Sequence, residues 1–236
     1  MTVLGVESSA VSAGAAVLKD GKIISESYLN VGLTHSETLM TLVDSALKNA
    51  DLTVNDIDAF AVSKGPGSFT GIRIGISAVK GMCFDSEKPV YGVSTLESMA
   101  YGALTPDVII CPVMDARCMQ VYNALFVYEN SELKRLCDDR ALKLNELFEE
   151  IKNTDKKILL IGDGSEITKK YFDSQNFTNY YIFPEIFKFQ RACGVAFAAF
   201  VRYNMGDKGE TGDSLQPSYL RLPQAERERQ QRSNNQ

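Results

Sequence analysis

A single histidine, His35, stands in a chain of 236 residues. It sits in Thr34-His35-Ser36-Glu37, and its isolation bounds the chemistry available. A metal site with two imidazole ligands cannot form, and a Ser/His/Asp triad would rest on this one ring. Beside capping residues at a helix start, a lone imidazole is more often structural than catalytic. No catalytic and no metal-ligating residue is assigned on this basis. Phosphate chemistry has more candidates. Glu7-Ser8-Ser9 and Ser12-Ala13-Gly14 combine an acid with small hydroxyl residues, where backbone N–H groups could approach an anion. Asp115-Ala116-Arg117 is a second such point, without paired glycines. Gly162-Asp163-Gly164 is a glycine turn, but Asp163 would repel a phosphate. Glu7, Ser9, Asp115, Gly162 and Gly164 are therefore weak nucleotide-binding candidates, and intact ATP binding by this chain alone is not expected.

Gly65-Pro66-Gly67-Ser68-Phe69-Thr70-Gly71 precedes a helical pattern. Ser68 or Thr70 can cap that helix, and a helix N-terminus can hold an anion. No Gly-Lys-Ser/Thr follows, so it is not a P-loop. The simpler reading is a tight strand-to-helix turn in which glycine supplies φ > 0.

These residues need elements to position them. Residues 2–9 are an apolar run, 12–18 alternate small and apolar positions, and Asp20-Gly21 is a hairpin signal leading to a third strand, 22–29. Leu39, Leu42, Val43, Ala46, Leu47 and Ala50 recur at helical spacing. A strand over 57–63, a helix over 70–84 and a strand over 89–93 follow, then a helix opened by a capping box, Ser94-Thr95-Leu96-Glu97. Past Thr105-Pro106-Asp107 the pattern restarts. Strands are predicted at 108–114, 119–128 and 132–137, with a turn at Asn130-Ser131. A helix over 144–152, a strand over 156–161, a short helix and a strand at 180–183 come next. The last helix carries Val195, Ala196, Ala199, Phe200 and Tyr203 on one face, with Gly206 as its stop. The element order repeats after roughly 105 residues, and repeats decide architecture. A duplicated βββαβα unit predicts the α/β, RNase-H-like double fold of actin, Hsp70 and the sugar kinases (the ASKHA superfamily). Its first lobe is expected over 1–104 and its second over 105–222, with a polar, mobile tail over 223–236. One doubly wound parallel sheet is the competing reading, and the opening hairpin argues against it.

Composition sets the setting. Hydrophobic residues make up 44% and charged residues 23%, enough apolar content for a real core. The net charge is −5, unfavourable for solo binding of nucleic acid, although the stretch from Arg221 to Arg232 carries four Arg. No apolar run is long enough to span a membrane and the first residues are no secretory signal. Five widely spaced cysteines without C-x-x-C read as reduced thiols, so a cytoplasmic location is expected.

The helix over 70–84 stands out. Ile72, Ile76, Val79 and Cys83 form one apolar face, and Gly71, Ile74, Gly75, Ala78 and Met82 leave the other faces small or apolar. A helix apolar nearly all round is covered on more than one side, by the rest of the fold or by a partner.

Together these motifs resemble the TsaB (YeaZ) family. The pieces that carry the resemblance are Thr34-His35-Ser36-Glu37, the Gly65-to-Gly75 run, Gly92-Val93-Ser94-Thr95-Leu96-Glu97, Asp115-Ala116-Arg117 and Pro217-Ser218-Tyr219-Leu220-Arg221. They appear in order along nearly the whole chain. The resemblance implies a non-catalytic paralogue of TsaD, the transferase that threonylcarbamoylates adenosine 37, beside the tRNA anticodon. TsaD holds its metal through a His-x-x-x-His pair, and Thr95 and Met99 stand at the corresponding positions here. It implies a heterodimer with TsaD, recruitment of the ATPase TsaE, ADP or ATP at their junction, tRNA met only through the complex, and a homodimer when TsaD is absent. The implied partner surface lies on the first two helices: His35, Leu39, Leu42, Val43, Ala46, Phe69, Ile72, Arg73, Ile76, Val79, Lys80 and Cys83. Ile76→Asp is then expected to weaken the heterodimer while the lobe still folds. Two departures are visible: Cys118-Met119-Gln120 follows Asp115-Ala116-Arg117 where the family has a basic or small pair and Glu, and Glu7-Ser8-Ser9 replaces Asp-Thr-Ser. The alternatives are a free-standing small-molecule kinase or ATPase of the same fold and a peptidase. The first lacks the glycines that phosphoryl transfer needs. The second lacks the histidines.

Overall fold

The computed structural model describes residues 1–32 and 34–221; the tail expected over 223–236 lies outside them. Strands β1 (Thr2–Glu7), β2 (Ala13–Lys19) and β3 (Lys22–Leu29) form the opening meander. Asp20 and Gly21 join β2 to β3 with φ of 49° and 80°, the doubly positive turn that suits a two-residue hairpin. Helix α1 (His35–Asn49) leads to β4 (Ala59–Gly65), then α2 (Phe69–Met82), β5 (Val90–Ser94) and α3 (Thr95–Tyr101). The sheet runs in the order β3-β2-β1-β4-β5.

The second half repeats this order. Strands β6 (Val108–Asp115), β7 (Gln120–Asn123), β8 (Phe126–Glu129), β9 (Glu132–Arg135) and β10 (Arg140–Lys143) precede α4 (Leu144–Ile151), β11 (Lys157–Ile161), α5 (Ser165–Ser174), β12 (Tyr180–Ile182) and α6 (Ala192–Asn204). The second sheet runs β10-β7-β6-β11-β12, with the β8–β9 hairpin beside β6. Corresponding strands occupy corresponding places in the two sheets, so the chain is a duplicated, actin-like α/β fold.

One strand expected as continuous is broken, and one strand is unexpected. The run 119–128 divides into β7 and β8, which share one register along β6 but stop opposite Pro112. Proline has no N–H to offer a ladder. The Asn123 amide instead donates to the Pro112 and Ala124 carbonyls, both at 3.0 Å, and Leu125 N–H turns to the Cys137 sulfur at 3.2 Å. The third strand, expected over 132–137, ends as β9 at Arg135, and after a bend at 136–139 the unexpected β10 pairs with β7. Four residues with charged ends, Arg-Ala-Leu-Lys, are too short for the period of 2 to announce that strand.

Packing follows the strand alternation. Leu4, Val6, Phe60 and Val62 face α1 and α2, whereas Val3, Ala59, Ala61 and Val93 face α6. Helix α6 lies so close to β1 that a Cβ on Gly5 would stand 2.7 Å from the Ala192 carbonyl. Helix α3 packs on β6 and on α6, with Leu96, Met99 and Ala100 in the same core as Ile110, Leu159 and Ile161. Thus α3 and α6 fill the space between the sheets. Being covered on two sides, α6 buries Ala192, Gly194, Val195, Ala196, Ala198 and Ala199. Tyr203, expected on its inner face, is 48% exposed. After α6 the chain returns to the first sheet, where Glu210 bridges Val90 and Leu215 enters the α1/α2 core.

Candidate functional site

A cleft of about 440 Å³ opens between the lobes. Ser9 to Val11 and Pro66 to Phe69 line it from the first lobe, and Met114 to Arg117, Tyr122 and Asp163 from the second. Ser218 to Arg221 cross it near the end of the chain. Its place follows from the topology, since β1, β4, β6 and β11 all deliver their C-terminal ends to this side.

Of the weak nucleotide candidates, Ser9 and Asp115 line the cleft. Glu7 lies beneath it, fully buried. Its carboxylate accepts hydrogen bonds from Ser9 N–H and Ser9 Oγ, both at 2.6 Å, and from the Ser63 hydroxyl. Burial pushes its pKa above the ordinary carboxylate value, and the hydroxyl and N–H donors only partly oppose this. Gly162 and Gly164 are not open to a ligand. A Cβ on Gly162 would run into the Val113 carbonyl and the Met99 methyl group, so the turn is closed by β6 packing. Asp163 is the member of that turn that faces the cleft, and burial raises its pKa too, with Asp115 adding to the rise.

The buried Glu7 carboxyl has a measurable consequence. Its folded pKa is raised, so its contribution to stability is complete below the unfolded value of about 4.3 and is lost as pH rises through the folded value. Glu7→Gln keeps the shape and removes the buried charge. Thermal melts from pH 4.5 to 8 are expected to show the variant level with the parent at the acid end and a few degrees more stable at pH 8. A variant that melts lower at pH 8 would mean that the ionised carboxylate is the better partner for Ser9 and Ser63.

The loop before α2 is explained by backbone contact. Gly67 has φ of 155° and lies against the Ser9 carbonyl, which accepts Ser68 N–H at 2.6 Å. Ser68 caps α2 by accepting Gly71 N–H at 3.2 Å. The other expected caps differ. Thr34 makes no side-chain cap to α1. Ser94 accepts Glu97 N–H at 3.2 Å, but the Glu97 carboxylate reaches across to Arg135, 3.6 Å away, instead of closing a capping box. The two lobes compete for that carboxylate, and the cationic partner holds it. His35 Nε2 stands 2.6 Å from the Ala10 carbonyl, tying α1 to the loop after β1. Thr95 is fully buried and Met99 nearly so. Among the described residues no group of three His, Cys, Asp or Glu side chains could hold a metal ion, and no helix is long and apolar enough to cross a membrane.

The candidate partner residues separate into two sets. Leu39, Leu42, Val43, Ala46, Ile72, Ile76, Val79 and Cys83 all belong to the core between the helices and the first sheet. The first sheet, together with Leu215, covers that face, so these side chains are not available as a surface. Ile76 is 5% exposed, which corrects the expectation that Ile76→Asp would leave the lobe folded. His35, Phe69, Arg73 and Lys80 reach the outside in part or fully. The outward side of α2 carries Thr70, Arg73, Ser77 and Gly81, flanked by half-buried Ile74, Ala78 and Met82. On α1 the outward residues include Met40, Thr41 and Asp44, and Phe84 just past α2 is 83% exposed.

Sequence reasoning noted Pro217-Ser218-Tyr219-Leu220-Arg221 but found no task for it. In the fold Tyr219 stacks on Phe69 with ring centres 4.5 Å apart. Arg73 lies 3.9 Å above the Phe69 ring and donates from Nε to the Tyr219 hydroxyl at 2.9 Å. No periodicity signals a contact across 146 residues.

A family model described as TsaD, tRNA N6-adenosine threonylcarbamoyltransferase, matches residues 30–229. A protein of Bacillus subtilis (strain 168) named tRNA threonylcarbamoyladenosine biosynthesis protein TsaB is 32% identical over 228 residues, covering 96% of each chain. A tRNA N6-adenosine threonylcarbamoyltransferase of Brachyspira hyodysenteriae is 29% identical over 125 residues, 46% of this chain and 37% of that one. The solved structure of YeaZ from Pseudomonas aeruginosa superposes with a TM-score of 0.76 at 22% identity, over 93% of this chain and 99% of that chain.

Proposed function

This chain belongs to the TsaB (YeaZ) family, and on that premise we propose that it is a non-catalytic subunit in the threonylcarbamoylation of adenosine 37 of tRNA. The observation that carries the reading is one of length. The alignment with the TsaB relative covers 96% of both chains, whereas the transferase of Brachyspira hyodysenteriae is matched over 37% of its length. Two further features support it. The one histidine of the chain is held on the Ala10 carbonyl. The positions corresponding to a metal-binding pair are a buried threonine and a buried methionine, and neither a hydroxyl nor a thioether replaces two imidazoles.

In this reading the chain binds TsaD, favours its active arrangement by binding that arrangement more tightly, and helps to recruit TsaE. Any ADP or ATP is held at the junction of the partners, because the glycine turn of this chain is closed against β6. The tRNA is met through the complex. The contact surface is the outward side of α1 and α2, built from Met40, Arg73, Ile74, Ser77, Ala78 and Gly81. Small residues along a helix allow the close approach that helix-to-helix packing uses. With TsaD absent the same surface supports a homodimer. The setting is the cytoplasm.

The test is transfer of threonylcarbamate to tRNA by purified TsaD and TsaE with the adenylate donor, with and without this chain. Transfer is expected only when the chain is present, and none from the chain alone. Transfer that is unchanged by its omission would refute the supporting role and return attention to a ligand of the inter-lobe cleft.

A further inference from the structure

The stretch Ser218–Arg221 touches both lobes at the mouth of the cleft. On the first lobe, Ser218 N–H donates to the Lys64 carbonyl at 2.7 Å, and Gly65 passes so close to the Ser218 carbonyl that no Cβ could be fitted there. Tyr219 is fixed by its stack on Phe69 and its bond from Arg73. Two residues further on, the Arg221 guanidinium donates to the Ala116 carbonyl in the turn between β6 and β7 of the second lobe. That turn has few internal ties. Ala116 N–H and Gln120 N–H close it, at 3.0 and 3.1 Å, Arg117 N–H donates to Asp115 Oδ1 at 2.7 Å, and Arg117, Cys118 and Met119 all have positive φ. Other contacts between the lobes run through α3 and α6 in the interior, through Ala10 packed on the second-lobe core, and through ion pairs such as Arg135–Glu97 and Arg191–Glu26.

We infer that residues 218–221 are a strap across the open side of the cleft, and that the Arg221 anchor on the Ala116 carbonyl limits how far the two lobes separate. The physical basis is leverage. Lobes hinged through α3 and α6 separate most at the side away from the hinge, so a short tether there restricts the motion that interior packing leaves free. The tether is built to be stiff, because its first-lobe end is a stacked aromatic pair with a cation over it. Its second-lobe end is a single charge-assisted hydrogen bond, the type stronger than a neutral one. A strap anchored in series has a distinctive signature, since loosening it at either end slackens the other.

The same geometry links the cleft to α2. Arg73 is exposed and serves the strap through Tyr219. An acidic side chain of a partner that draws the Arg73 guanidinium away would loosen the strap from the first-lobe end. This consequence rests on the proposed partner surface; the strap itself does not.

Hydrogen exchange on the isolated full-length chain separates the two. Arg221→Gln is expected to speed exchange of amides 115–120 roughly tenfold, the loss of one bond to a charged group, with far-UV circular dichroism unchanged. Tyr219→Leu should speed the same amides by a smaller factor, although it lies on the other lobe, because Ser218 N–H still holds the Lys64 carbonyl. The double variant should be no faster than the more affected single. Unchanged exchange at 115–120 in Arg221→Gln, or effects of the two substitutions that multiply as independent sites do, would overturn the strap. Neither outcome bears on whether the chain supports tRNA modification.

Discussion

Gly81→Arg is expected to abolish assembly with TsaD and with it the stimulation of tRNA threonylcarbamoylation, lowering transfer about a hundredfold or more. Gly81 lies near the end of α2 on its outward side, and a Cβ added there meets nothing within 4 Å. The monomer therefore has room for the side chain. Arginine is also a better helix former than glycine by about 0.5–1 kcal/mol, and a cation suits the C-terminal turn. The fold should be intact or slightly stabilised. An opposing helix, in contrast, would meet a long charged side chain where it needs close approach. Loss of about 2.7 kcal/mol of binding free energy already gives a hundredfold weaker complex. Pull-down and the reconstituted transfer assay measure the two effects, with a thermal melt as the control. Full activity in a variant that melts like the parent would remove α2 from the interface.

Ile76→Asp, one turn earlier on the same helix, is expected to fail for a different reason. Ile76 faces the first sheet and is almost fully buried in the core that also holds Ile72 and Val79. An aspartate there is an unpaired buried charge next to a lost apolar side chain. Removing one partner of a buried pair costs about 3–5 kcal/mol, and a charge that never had a partner is no cheaper. Set against a total stability of about 5–15 kcal/mol, that is a large share. At about 2–4 °C per kcal/mol for a chain of this size, the midpoint should fall by roughly 10 °C or more, with much of the protein insoluble at expression. Loss of TsaD binding in that variant would report unfolding, which is why the Gly81 substitution is the informative one. An Ile76→Asp protein with a parental melting curve would show that α2 sits off the sheet in solution.

The contrast between these neighbours reflects what a sequence pattern can convey. The apolar spacing of Ile72, Ile76, Val79 and Cys83 marks a helix face that must be covered. It does not say by what, because a sheet of the same chain and a helix of another protein both remove apolar surface from water. The fold resolves this through Leu4, Val6, Phe60 and Val62, which supply the cover from β1 and β4. What is left for a partner is the less conspicuous side, small and only half apolar. The cleft has the same history. Ser9 and Asp115 line it, while Gly162 and Gly164 serve the approach of one turn to β6. A glycine pair in a sequence marks close backbone approach without revealing whether the neighbour is a ligand or a strand.

By itself the sequence determined the duplicated element order, the hairpin at Asp20-Gly21, the absence of a two-imidazole site and the family. These rest on local signals or on counting: turn residues with positive φ, periodicity within one element, and a single histidine. Only the tertiary structure decided that β7 and β8 part opposite Pro112, that Glu97 bonds Arg135 in preference to its own helix end, and that Tyr219 and Arg221 reach Phe69 and Ala116. Each depends on a neighbour brought close by the packing of whole lobes, and contacts across such separations leave no period in the chain that could announce them.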